Sequence, residues 1–207
     1  SRTSPQLVSA LFVQEIPEIA NGVVDIKNIA REPGSRTKVA VSTNDDAIDP
    51  IGSCIGQRGT RIQTIIRELG GEKVDVIQWS ERPTEYIGAA LSPAKTKEVK
   101  LLEDQNLAVV SVAADQLSLA IGKGGQNVRL AAKLTGWKIT IQEQGGKVVA
   151  DSETGEVEDR PESVQAADAK EQSEDTQPLE GAAIHEAEVA QEGGAAVAEP
   201  AKDVTAE

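Results

Sequence analysis

The sequence predicts an α+β fold in which two tandem units, each a three-stranded sheet packed by three helices, precede a disordered acidic tail. Three observations carry this. The segment Asp49–Gly59 recurs 66 residues later, without gaps, as Asp115–Gly125. Around each copy the pattern reads helix, strand, strand, helix, loop, helix, strand. Finally, residues 144–207 hold 17 acidic and 4 basic side chains, which accounts for the whole formal charge of −13 and leaves residues 1–143 balanced. The expected boundaries are 1–80 for the first unit, 81–143 for the second and 144–207 for the tail.

In the first unit, Ser4-Pro5 opens a helix, with Ser as N-cap and Pro at the first helical position. Leu7, Val8, Leu11 and Phe12 form its apolar face, and Ile16-Pro17 ends it. Val23–Ala30 alternates through Val24, Ile26 and Ala30, with Ile29 out of phase, and reads as a strand. Glu32-Pro-Gly-Ser35 is a turn, and Lys38–Ser42 is a second strand with Val39 and Val41 on one side. Asp49-Pro50 starts a short helix that runs into Gly56–Gly59. The next helix carries Ile62, Ile65, Ile66 and Leu69 at helical spacing and stops at Gly70-Gly71. Lys73–Trp79 is the third strand.

The second unit repeats the order. Pro83–Leu91 is helical and ends at Ser92-Pro93. Glu98–Leu102 and Leu107–Val112 are strands about the polar turn Glu103–Asn106. Asp115 is expected to cap a short helix as Asp49 does, the Gly122–Gly125 loop follows, and Gln126–Leu134 is a helix ended by Gly136. Lys138–Gln142 is the last strand. Units of about 60–80 residues bury only a marginal share of their surface, so the two are expected to pack together as one rigid body. The wide apolar stripe of Val128, Leu130, Ala131, Ala132 and Leu134 points the same way.

The tail is another kind of material. All four aromatic residues (Phe12, Trp79, Tyr86, Trp137) precede it. With few large apolar side chains it has too little surface to bury against its ordering entropy, although Ala182–Gln191 has the composition of a transient helix. A solubilising tail is the plain reading. A sharper one is that it competes with RNA for basic faces of the same chain. Elsewhere, no window has the run of about 18 apolar residues a membrane span needs. No leader resembles a signal peptide, and a single Cys excludes an internal disulfide, which fits a reducing cytoplasm. The chain has no Met, from which a piece of a longer protein is expected.

The repeat carries the chemistry. Both copies place Ile (Ile55, Ile121) before a Gly-x-x-Gly loop. Ile62 matches Val128 and Gly70 matches Gly136. One Gly-x-x-Gly alone can be a plain helix–helix turn that needs positive φ. A duplicate in the same setting with basic residues beside both copies is far more specific: Arg58 and Arg61 at one loop, Lys123 and Arg129 at the other. Glycines let a nucleic-acid backbone approach the main chain closely. The helix behind each loop aims its free N–H groups and positive dipole end at the same point, which suits phosphate, and the cations add charge-assisted contacts. The candidate RNA-binding residues are therefore Gly56, Gln57, Arg58, Gly59 and Arg61 at the first loop, and Gly122, Lys123, Gly124, Gly125, Asn127 and Arg129 at the second.

The order of elements with Ile-Gly-x-x-Gly resembles the prokaryotic (type II) KH domain. Ser-Arg-Thr-Ser-Pro, Val-Gln-Glu-Ile-Pro-Glu-Ile, Gly-Ser-Cys-Ile-Gly-Gln-Arg-Gly, Glu-Leu-Gly-Gly-Glu-Lys-Val-Asp and Leu-Ala-Ile-Gly-Lys-Gly-Gly-Gln-Asn-Val-Arg-Leu-Ala narrow the likeness. Over residues 1–143 the wording resembles the paired KH domains of the NusA family of bacterial transcription elongation, termination and antitermination factors. The resemblance implies single-stranded nascent or leader RNA as ligand, about four nucleotides per unit lying across an apolar groove. It also implies RNA polymerase as a partner through domains missing from this chain, other antitermination factors as further partners, a monomer, and no membrane. The alternative is a KH-type RNA-binding or protein-binding scaffold in another RNA-processing or ribosome-related assembly.

Enzyme classes lack their parts. The ordered region has no His, so triad, thiol–imidazole and metal sites are incomplete. Neither loop continues into the Lys-Ser or Lys-Thr of a nucleotide P-loop, and Gly122-Lys-Gly124 fails the dinucleotide fingerprint at its third Gly. No cofactor or metal is expected. Cys54, matched by Ala120, reads as a small core residue. Trp79 and Trp137 read as packing residues rather than base-stacking platforms, and Glu103-Asp104 as a solvated tip.

Overall fold

The computed structural model describes residues 1–144 and 148–152. The first unit opens with α1 (Pro5–Glu15), where the Ser4 side chain accepts from the Gln6 N–H as an N-cap. A short α2 (Pro17–Ala20), not expected from the pattern, starts at the next proline. Strands β1 (Val24–Glu32) and β2 (Arg36–Thr43) form an antiparallel hairpin, and β3 (Lys73–Gln78) returns parallel to β2, so the sheet order is β1-β2-β3. Between β2 and β3 lie α3 (Pro50–Ile55) and α4 (Thr60–Glu68), joined by the first loop.

The second unit repeats this with α5 (Pro83–Ala90), β4 (Thr96–Leu102), β5 (Leu107–Val112), α6 (Leu117–Ile121), α7 (Gln126–Thr135) and β6 (Lys138–Glu143). Again the first two strands are antiparallel, and the third runs parallel to the middle one.

One difference lies at the expected end of the folded part. A fourth strand, β7 (Val148–Asp151), pairs antiparallel with β6, joining Ile141 to Ala150 and Thr140 to Asp151. The second sheet is thus four-stranded, and ordered structure continues past residue 143. The physical reason is the open edge of β6, whose unpaired backbone groups take a partner. Thr140 Oγ1 donates to Asp151 at 2.6 Å, the Ile139 N–H donates to Ser152 Oγ at 2.8 Å, and Ala150 is buried. In the sequence this strand is only a short Val-Val-Ala run, Val148–Ala150, without the aromatic residues that mark the folded body. The rest of the expected disordered tail, with its proposed competition for RNA, lies outside the described residues.

The two units share one core. One face of the first sheet (Val24, Val39, Val41) is covered by α1, α3 and α4 through Val8, Phe12, Ile16, Cys54 and Ile65. The other face, through Ala30, Ala40 and Ile77, joins the buried cluster of the second unit around Ile87, Leu91, Leu130 and Leu134. Strand β2 is therefore buried on both sides. Polar groups fasten the same seam. Asn28 Nδ2 donates to the Leu134 carbonyl at 3.2 Å, as does the Tyr86 hydroxyl. Lys38, fully buried, donates to the Ser92 carbonyl at 2.9 Å and to Asp75 at 3.1 Å. The two units pack against each other, as expected, through this continuous interface. Trp79 packs against the shared cluster with the Lys27 ammonium 5.3 Å from its ring centroid, and Trp137 packs against the same cluster. Among the described residues no helix is long and apolar enough to cross a membrane.

Candidate nucleic-acid interface

The two loops have one backbone conformation. Gly56 has φ 75, ψ 175 and its counterpart Gly122 φ 72, ψ 174. Arg58 has φ 52, ψ 26 and Gly124 φ 57, ψ 32. Gly59 has φ 75, ψ 14 and Gly125 φ 73, ψ 11. The first glycine of each loop occupies a region open to Gly alone. A Cβ on Gly56 would lie 2.8 Å from Arg61 Cγ, and one on Gly122 would lie 2.9 Å from both the backbone N and Cβ of Asn127. The middle position is different: nothing lies within 4 Å of a Cβ on Gly124, and the first loop carries Arg there.

Each loop ends on the amino terminus of a helix, α4 or α7, that no side chain caps. The first N–H of each helix, on Thr60 or Gln126, donates to the loop's own carbonyl at Gln57 or Lys123, and the positive dipole end of the helix lies behind the loop. Gln57, Arg58, Lys123 and Gly124 are exposed. This combination can hold an anion and fix a chain of phosphates against main chain.

Arg61 and Asn127, which occupy the same place in the repeat, face inward. Arg61 donates to the Ser53 carbonyl at 2.7 Å, and Asn127 donates to the Leu119 carbonyl at 2.8 Å, the equivalent acceptor. Asn127 is fully buried and also reaches the carbonyls of Leu91 and Ala120. Its expected contact with RNA is corrected: the amide ties the end of α6 to the start of α7 and shapes the loop from behind. Arg61 does the same while partly exposed, its second bond going to Glu18 at 2.8 Å. The Glu18 carboxyl is held below the usual carboxylate range, first by its own backbone N–H and then by Arg61.

Beside the first loop an open cleft of about 650 Å³ runs along α3, lined by Glu18, Ala47, Ile48, Asp49, Gly52, Ser53, Gly56, Gln57, Thr60 and Arg61. Its volume is in the range that holds a nucleotide-sized ligand. The lining is more polar than the apolar groove the sequence led us to expect, because Glu18 from α2 and the Arg61 head both line it.

The loops also differ. Ile55 is 37% exposed, whereas Ile121 is 1% exposed within the shared core. Asp49 caps α3 through the Ile51 N–H at 3.0 Å, but Asp115 does not cap α6, correcting the expected equivalence. Asp115 lies inside a short turn, and Gln116 takes the N-cap position of α6. A Cβ on Gly52 would sit 2.5 Å from Asp49 Oδ2, and the second unit has Ser118 there. Asp115 instead accepts from the Gln116 amide at 3.0 Å.

Arg129 is half committed. Its Nε donates to Glu32 at 2.7 Å and its Nη1 to the Gly124 carbonyl at 3.1 Å. Gln126 Nε2 reaches Glu32 at 2.8 Å and Ser35 Oγ at 2.7 Å. Arg129 above all holds the Glu32 carboxyl below the usual carboxylate range, burial opposes this, and Gln126 reinforces it. The sequence showed the basic residues but not their partners, because Glu32 lies 97 positions from Arg129.

Cys54 is fully buried against α4, and burial pushes its thiol up to about 12, so it is inert as expected of a core residue. Among the described residues no group of three or more His, Cys, Asp or Glu is arranged to hold a metal ion.

Comparison with known proteins agrees with this geometry. Residues 2–79 match the NusA-like first KH domain and residues 83–148 the NusA-like second KH domain. The transcription termination/antitermination protein NusA of Bacillus subtilis is 52% identical over 144 residues, which is 70% of this chain and 39% of that protein. NusA of Thermus thermophilus is 55% identical over 143 residues, 69% of this chain and 37% of that protein. The crystal structure of APE1850 matches with a TM-score of 0.50 at 25% identity, over 66% of this chain and 96% of that one. The chain thus spans less than two fifths of the length of these two NusA relatives.

Proposed function

Since the chain belongs to the NusA-like family through its tandem first and second KH domains, we propose that it binds single-stranded RNA through its two Gly-x-x-Gly loops. The observation that carries this is the duplicated loop: the same glycine-dependent backbone, a helix amino terminus without a side-chain cap behind it and an exposed cation on its crest, twice in one chain. Gly56, Gln57, Arg58 and Gly59, and Gly122, Lys123 and Gly124, lie against the RNA backbone, while Gly125, buried, turns the second loop into α7. Arg61 and Asn127 shape the loops, and Arg129 does so while leaving part of its guanidinium exposed. Bases at the first loop enter the adjoining cleft, which admits unpaired bases only.

The reading extends to the role named for the relatives, termination and antitermination of transcription. The RNA is then nascent transcript in the cytoplasm, RNA polymerase is engaged by other parts of the longer protein, and the KH pair has a binding role without catalysis.

The test is fluorescence anisotropy of the 207-residue chain with single-stranded RNA of about 16 nucleotides and randomised sequence, enough for about four per unit and a bridge. Arg58→Asp and Gly124→Asp place a carboxylate on each exposed crest, at a positive φ that Asp tolerates better than most residues. Each change is expected to weaken binding about tenfold, and the pair more. The parent's affinity should fall as salt rises, with a shallower slope in the double variant. Binding unchanged in the double variant would overturn the loop mechanism.

A further inference from the structure

The second loop is braced by the first domain, and among the described residues the first loop has no matching brace from the second. The β1–β2 turn of the first domain reaches the start of α7, where Glu32 accepts from both Gln126 and Arg129, and Arg129 in turn donates to the Gly124 carbonyl on the loop crest. The turn is itself anchored. Glu72, with its side chain fully buried, accepts from the Gly34 N–H at 2.7 Å and takes a two-point pair from Arg31 at 2.9 Å. In the first unit the places of Gln126 and Arg129 are taken by Thr60 and Gln63, both exposed.

Resting on the RNA-binding reading above, we propose that Glu32 is a positioning residue for RNA at the second loop, setting the crest through Arg129 and Gln126 from the neighbouring domain. Its charge alone argues against a direct part in binding. A carboxylate 2.7 Å from the cation beside a phosphate site lowers the local positive potential, so electrostatics by itself makes its removal improve affinity. Positioning gives the opposite sign. Without Glu32, the Arg129 head and the crest carbonyl it holds lose their fixed orientation, and ordering them falls on the binding step. First-domain structure thereby controls second-loop affinity, while first-loop affinity is independent of this contact.

The experiment measures anisotropy with the randomised RNA on the whole chain carrying Glu32→Ala or Glu32→Gln. Each change is made alone and in the Arg58→Asp and Gly124→Asp backgrounds. Glu32→Ala is expected to weaken binding about fivefold, comparable with the net contribution of one hydrogen bond. Glu32→Gln keeps acceptor and donor atoms without charge and should bind as tightly as the parent or more tightly. The alanine effect should persist in the Arg58→Asp background and vanish in the Gly124→Asp background, where the second loop is already disabled. Alanine binding as tightly as the parent, or an alanine loss of equal size in both backgrounds, would overturn the proposal, the second result marking a general loss of stability. If the crest variants alone leave binding unchanged, the loop reading fails by a separate arm and takes this inference with it.

Discussion

Two glycines two residues apart in the second loop should lose stability to very different extents on the same substitution. In Gly122→Ala the new methyl would sit 2.9 Å from the backbone N of Asn127. That backbone cannot retreat, because the Asn127 side chain is held by the carbonyls of Leu91, Leu119 and Ala120. The φ 72, ψ 174 conformation adds roughly 1–3 kcal/mol of strain for any residue with a Cβ, and the overlap adds about 1–3 kcal/mol. A loss of about 3 kcal/mol is expected. In Gly124→Ala the methyl meets nothing within 4 Å, and φ 57 with ψ 32 is left-handed helical, where Ala costs about 1 kcal/mol. The first loop shows the position tolerating Arg at φ 52. Urea unfolding followed by Trp79 and Trp137 fluorescence separates the two. With a slope of about 2 kcal/mol per molar, the midpoint should fall by about 1.5 M for Gly122→Ala and about 0.5 M for Gly124→Ala. Equal shifts would show that the close approach behind the first glycine does not govern the loop.

Further outcomes follow from three buried groups. Glu72→Ala should destabilise by about 3–5 kcal/mol by stranding Arg31 and leaving Thr37 and the Gly34 N–H unpartnered, and a midpoint shift no larger than that of a surface change would refute this. Burial pushes the Glu72 carboxyl up, but Arg31, Thr37 and Gly34 together hold it below its ordinary 4.5. Its stabilising charge is thus fully present above that pH and lost as pH falls through the lower folded value, a dependence that Glu72→Gln should flatten in acid titrations. Burial lowers the Lys38 ammonium to about 8, although Asp75 opposes the shift. The unfolded chain therefore binds more protons between about pH 8 and 10.5, stability should rise across that window, and Lys38→Met should abolish the rise. Cys54 should resist a thiol reagent in the folded chain at pH 8 and react on addition of urea, and rapid labelling without denaturant would contradict its burial.

Much of the fold is legible locally. Ser4 before Pro5 and Asp49 before Pro50 start helices by capping chemistry. The Ile62, Ile65, Ile66 spacing specifies the buried stripe of α4, and the paired Gly-x-x-Gly segments specify two loops of one geometry. All of these signals span a few residues, where sequence and conformation are directly coupled. The equivalence of the repeats was legible only in part, since Asp49 caps α3 while Gln116 takes the N-cap position of α6.

Short-range pattern and composition are enough to specify the two units, their element order, the place of the loops and the separation of an acidic tail from a neutral body. The tertiary structure alone decided what the back of the first sheet does. Lys38 and Ala40 read as the outward side of a strand, and they are buried because the second domain lies on them. It also decided that Asn127 serves the loop from inside the protein, that Arg129 is shared with Glu32, and that β6 has a further strand at its edge. Each of these depends on contacts between residues distant in the chain or on an edge left open by the rest of the sheet. The pairing energy there comes from burial and geometry that no local spacing encodes.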